Sequence, residues 1–134
     1  MSLRLLAALT LCVAACHQNN GAGSPPPSGG DPTTATVHEV LTKPALVGRI
    51  LNVTGRCLGY SAPFLAKGPS PLTRSDWQLE DQGEAVWVSG AMPTGCSATQ
   101  PAVSPSTISA LVAQDTLPIL GGNGPSPRQY LVRQ

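Results

Sequence analysis

The ten residues Arg49-Ile50-Leu51-Asn52-Val53-Thr54-Gly55-Arg56-Cys57-Leu58 constrain the fold of this chain more than any other stretch. Strict alternation places Leu51, Val53, Gly55 and Cys57 on one face and Ile50, Asn52, Thr54 and Arg56 on the other. That is the period of a strand with one side against a core. A glycine on the inner face of such a strand marks a bend or bulge where a sheet curls tightly.

Further strands follow from the same reasoning. Ser75 to Glu80, the turn Asp81-Gln82-Gly83, and Glu84 to Gly90 read as a hairpin, with Gly83 available for the positive φ of a tight turn. Trp77 and Leu79 share a face; Val86 and Val88 share another, with Trp87 opposite them. Thr107 to Ala113 is a fourth strand, expected to break at Gln114-Asp115 before Leu117-Pro118-Ile119-Leu120. Gln129 to Arg133 closes the set. Ahead of them, Thr36-Val37-His38-Glu39 fits a capping box, with Thr36 as N-cap and Glu39 at the third helical position. Val37, Val40 and Leu41 then lie on one face of a helix that Pro44 limits to about two turns. Five strands with a curled first member point to an all-β class and a small five-stranded barrel with a short N-terminal helix.

The glycine-bent Arg49–Leu58, followed by Trp77-Gln78-Leu79-Glu80-Asp81-Gln82-Gly83-Glu84-Ala85-Val86-Trp87-Val88, resembles the opening strands of an OB-fold. The resemblance spans about residues 37–133. It implies a closed barrel whose second and third strands offer an outer face to ligands.

Upstream, Met1 to Ala15 has the parts of a secretory signal: the basic Arg4, the apolar run Leu5 to Val13, and small residues at the end. The run is far short of the roughly 20 residues a bilayer-spanning helix needs. Val13-Ala14-Ala15-Cys16 resembles the lipobox of bacterial lipoproteins. That resemblance implies cleavage before Cys16, a diacylglyceryl thioether on its sulfur, and acylation of the new amine in many bacteria. Ordinary cleavage without lipid and an uncleaved anchor are the alternatives. Two or three acyl chains hold a protein to a bilayer stably where one does not. By resemblance to enterobacterial lipoproteins, His17 rather than Asp after the cysteine implies the outer membrane, facing the periplasm or the cell surface. His17 to Pro32 (HQNNGAGSPPPSGGDP) contains no large apolar residue to pack a core, so it reads as a disordered spacer. The expected organisation is therefore 1–15 signal peptide, 16–35 lipidated cysteine and linker, and 36–134 OB-fold-like domain.

With Cys12 lost in the leader and Cys16 lipidated, Cys57 and Cys96 remain. In an oxidising envelope an even pair is most simply a disulfide. Two buried thiols or half of a metal site are the other readings; no CxxC occurs, and only His17 and His38 could complete a metal set. In a barrel meander the first and third strands run the same way. This brings Cys57, near the end of one, toward Cys96, just beyond the end of the other.

Charge narrows the function classes. The chain has eight Lys+Arg and seven Asp+Glu; losing Arg4 with the leader leaves seven of each. A neutral, charge-poor chain lacks the electrostatic footprint of a general nucleic-acid binder. No GxSxG or phosphate-cradling GxxxxGK[ST] is present, and Ser61, Ser97 and the two histidines form no nucleophile motif. Asp76, Glu80, Asp81 and Glu84 crowd the hairpin, where acids are most simply solvated. No cofactor and no enzyme is implied. Trp87 either faces outward to stack on a ligand or packs beneath the Pro-rich loops or helix; Tyr60 and Phe64, after the first strand, could border the same groove. The expectation is a non-catalytic binding module, anchored through lipid at Cys16, with an envelope protein, peptide or glycan as partner. The alternative is OB-fold binding of nucleic acid.

Overall fold

The computed structural model describes residues 33–60, 63–118 and 124–134. The leader, Cys16 and nearly all of the linker lie outside the described residues. The elements in order are β1 (Thr34–Ala35), α1 (Val37–Thr42), a 3-10 turn at Pro44–Leu46, β2 (Ile50–Gly59), β3 (Trp77–Asp81), β4 (Glu84–Ser89), β5 (Ser106–Leu117) and β6 (Ser126–Arg133). The sheet order β2-β3-β4-β6-β5 returns to β2 through an antiparallel β2–β5 pairing, closing a five-stranded barrel. This is the expected OB-fold-like all-β domain.

Closure depends on β2, which serves two partners. Ile50 to Gly55 pair with Leu111 to Ser106 of β5, and Arg56 to Gly59 pair with Glu80 to Gln78 of β3. Gly55 stands where the first pairing ends and the second begins. A Cβ there would lie 2.8 Å from the Glu80 carbonyl oxygen and 2.8 Å from Leu79 Cγ. The missing side chain is what lets β3 close down on the curling strand. The inner face is the one alternation predicts: Leu51, Val53 and Cys57 join Trp77, Leu79, Val86, Val88, Ile108, Ala110, Val112 and Leu131 in one core.

The β3–β4 hairpin turns through Gln82 (φ 52°) and Gly83 (φ 85°), both in the left-handed region. This is the two-residue turn whose twist suits adjoining strands. At this end of the barrel sits α1, capped as predicted: Thr36 Oγ1 accepts from Glu39 N at 3.1 Å, and Glu39 Oε2 accepts from Thr36 N at 3.0 Å. The Lys43 ammonium, the Thr36 N–H and then the other polar neighbours hold the Glu39 carboxyl below its ordinary pKa, against a small effect of burial. Val37 and Val40 are fully buried in the core, and His38 Nδ1 lies 2.8 Å from Glu84 Oε2 at the start of β4.

The opposite end is closed by the loop between β4 and β5. Cys57 and Cys96 form a disulfide with Cα atoms 6.1 Å apart. Around it Ala102 N donates to Cys57 O and Tyr60 N donates to Ala98 O, both at 2.8 Å. Gly59 (φ 66°) passes so close that a Cβ would stand 2.1 Å from Ser97 O.

Three local expectations change. β5 does not break at Gln114-Asp115 but continues to Leu117. Asp115 is held directly opposite Arg128 of β6, so its charge is neutralised within the ladder. β6 correspondingly starts at Ser126, not Gln129. Thr34–Ala35, inside the stretch expected to be linker, pairs in parallel with Asn52–Val53 and extends the sheet along β2 ahead of β3.

Candidate functional site

The outer face of β3 and β4 is where an OB-fold would present a ligand surface, and Gln78 and Trp87 face each other across it. Here the chain covers itself. After β2 the loop crosses this face, and Gln78 Oε1 accepts from Leu65 N at 2.8 Å and Ala66 N at 2.9 Å. Trp87 Nε1 donates to Gly68 O at 3.1 Å. Trp87 is 3% exposed and packs with Ala66, Ala85 and Tyr130 in a second apolar cluster. Trp87 points outward from the barrel and packs beneath the Pro-rich loop, the second of its two expected settings. A buried indole with its N–H satisfied offers no open face for stacking.

Arg128 on β6 fastens the same loop from the other side. Its guanidinium is ion-paired with Asp115, and Nη1 donates to Lys67 O at 2.8 Å and to Pro69 O. The strand pair β5–β6 is thereby stitched to the loop after β2. Neither Gln78 nor Arg128 was singled out in the sequence. Their signal is weak: a glutamine on the solvent face of a hairpin and an arginine beside a proline.

Tyr60 and Phe64 are brought together as expected, and both remain accessible at 40% and 53% exposure. Their rings meet edge to face with centroids 5.5 Å apart, and they lie 6.3 Å and 6.1 Å from the buried Trp87 ring. Spacings of this order are those of favourable aromatic contacts. Leu65 and Leu72, also exposed, extend the apolar rim along the loop.

The hairpin acids divide into separate jobs rather than one pair. Glu80 accepts from Arg56 Nε and Nη2, each at 3.3 Å, and from Gly83 N; Glu84 meets His38. Asp76 is fully buried and accepts from Leu72 N at 2.8 Å, Thr73 N at 3.0 Å and Thr73 Oγ1 at 2.7 Å. Burial opposes its ionisation, but the bonds from Thr73, Leu72 and Ser89 outweigh burial and hold its pKa below 3.8. A depressed carboxylate stabilises the fold fully above its unfolded pKa and loses that contribution as pH falls through the lower, folded value. Acid should therefore begin to loosen the end of this loop below about pH 4. Asp76→Asn should cost about 1–3 kcal/mol at pH 7 and flatten the acid limb. Urea melts of both proteins at neutral and acid pH measure this; parallel acid limbs would assign the acid sensitivity elsewhere.

Beside the covered face lies a cleft of about 410 Å³ between the start of β4 and the start of β6. Leu65, Val86, Trp87, Gln114, Leu117 and Gln129 contribute to its walls, and the end of α1 reaches it through Leu41. Gln129 is 7% exposed, and its Oε1 has no hydrogen-bond partner among the described residues. Also among the described residues, no three His, Cys, Asp or Glu side chains converge as a metal set. No helix there is long and apolar enough to cross a membrane.

No protein-family model matches the chain, and comparison with curated proteins finds no match. Among solved structures, it is similar to a putative aspartyl-tRNA synthetase from Leishmania major Friedlin, at 16% identity and a TM-score of 0.41. The alignment covers 76% of this chain and 21% of that protein. A likeness of this size carries no functional argument, and the barrel assignment stands on the strand order itself.

Proposed function

We propose that this chain is a lipid-anchored protein of the bacterial cell envelope whose OB-fold-like domain is a non-catalytic module binding a partner protein. The observation that carries the binding role is the Tyr60–Phe64 pair: two accessible aromatic rings braced on a buried tryptophan. Accessible aromatics on a firm base suit an interface anchor, because little side-chain freedom is lost on binding. The lipobox-like Val13-Ala14-Ala15-Cys16 supports the anchor, and a disulfide accords with an oxidising compartment. Nucleic-acid binding is the weaker reading, since the chain is charge-poor, with eight Lys+Arg against seven Asp+Glu.

Two measurements test this. The intact mass of the full-length protein from bacterial membranes should show a chain starting at Cys16 with added acyl mass. A chain still starting at Met1 without lipid would overturn the anchor. For the binding role, a photo-crosslinking phenylalanine analogue replaces Phe64 in cells. It should capture an envelope protein, and Tyr60→Ser should abolish the adduct. No adduct, or one indifferent to Tyr60→Ser, would overturn the interface.

A further inference from the structure

The barrel is unevenly sealed. β4 and β6 pair in parallel only at Val88 with Leu131 and Ser89 with Val132; the preceding register positions, Trp87 with Tyr130 and Val86 with Gln129, are not formed. The cleft lies in that gap.

Hydrogen-bond phase shows what the strands present there. Val112 of β5 donates its N–H to Arg49 O and accepts from Gly48 N. Its main chain therefore faces away from β6. Bonded and non-bonded pairs alternate along an antiparallel ladder. The Val112–Leu131 pair is thus non-bonded, and so is Gln114–Gln129 two residues further on. The main-chain N–H and C=O of Gln129 accordingly face β4. On β4, the two-residue turn makes Asp81–Glu84 a bonded pair, so Glu80–Ala85 is non-bonded. The main-chain groups of Ala85 accordingly face β6. Two strand edges confront each other across a gap without pairing, and Gln129, which lines the cleft, carries a buried Oε1 without a hydrogen-bond partner among the described residues.

We propose that this open seam binds an extended peptide segment of a partner protein, which pairs its main chain with Ala85 and Gln129. Unused strand edges are satisfied by main-chain donors and acceptors at the spacing of another strand. Leu41, Leu65 and Leu117 supply apolar walls for alternate side chains, and a volume of about 410 Å³ admits a stretch of a few residues. Gln129 Oε1 is buried and unpaired among the described residues of the free protein; a rotation of this side chain into the cleft on binding would let a peptide N–H satisfy it. This inference rests on the binding-module reading but centres on Ala85 and Gln129 rather than on the Tyr60–Phe64 pair, with Leu65 shared between the two surfaces.

The test uses the full chain in detergent micelles and linear peptides selected on it from a phage-displayed library. A selected peptide, made synthetically, should bind the parent protein and lose about tenfold in affinity to Gln129→Leu, the scale of one hydrogen bond. N-methylation of successive peptide amides should alternate between abolishing and sparing binding, because a paired strand points every second N–H at its neighbour. Amide shifts on binding should centre on Ala85 and Gln129. The alternating N-methyl pattern is read on the parent protein, so it decides the question even if Gln129→Leu folds poorly. Failure to select any peptide, or affinity indifferent to both Gln129→Leu and N-methylation, would overturn the proposal. Shifts confined to Tyr60 and Phe64 would overturn it while leaving the proposed binding role intact.

Discussion

Reducing the Cys57–Cys96 disulfide should lower the stability of the domain by about 4 kcal/mol, as expected for opening a loop of this length in the chain-entropy description. The separation of 39 residues sets that figure. For a domain of this size it corresponds to a fall in melting temperature of about 15–30 °C. The consequence is more than a looser unfolded chain. The bridge ties the end of β2 to the loop from β4 to β5, where Cys57 is fully buried and Ala102 packs on the core. Thermal melts with and without reductant, and of Cys57→Ala/Cys96→Ala, measure the effect. The double alanine variant should match the reduced protein closely. A shift of only one or two degrees would show that packing, not the bridge, secures this end of the barrel.

Arg128→Met should cost about 3 kcal/mol and release the loop after β2 from the face of the hairpin. Removing the buried arginine from a part-buried, hydrogen-bonded ion pair leaves its partners only partly compensated by water. Here those partners are the Asp115 carboxylate and the carbonyls of Lys67 and Pro69. Arg128 is 7% exposed, so water does not readily replace it. The methionine retains much of the stem's packing and isolates the loss of the guanidinium. Local hydrogen exchange should rise at Leu65 and Ala66, whose N–H groups bond Gln78, and indole fluorescence should report water reaching Trp87. Unchanged exchange at those amides would mean that Gln78 and the Trp87–Gly68 bond hold the loop alone.

Several elements are legible from local sequence alone. The β2 alternation, the capping box at Thr36 and Glu39 and the turn at Gln82-Gly83 each depend on neighbours within a few residues. Gly55 could be recognised as a bend from its place on the inner face of a strand. The Cys57–Cys96 pairing rested in addition on a meander and on an oxidising compartment taken as an expectation.

Tertiary structure decided the rest. Whether Trp87 met solvent depended on the path of the Pro-rich loop, and that path is set by the Gln78 amide and Arg128, which lie 13 and 61 positions from the residues they hold. The true length of β5 depended on Asp115 meeting an arginine opposite it, since an unpaired acid in a ladder reads as a break. The open seam between β4 and β6 has no local signature at all. Its cause is where two strands distant in sequence stop pairing. The sequence alone thus determined the strands, the caps and the curl of the barrel, because those follow from short-range periodicity and backbone freedom. The covered outer face of the hairpin and the unsealed cleft came only from the fold, because single long-range hydrogen bonds and ion pairs choose them.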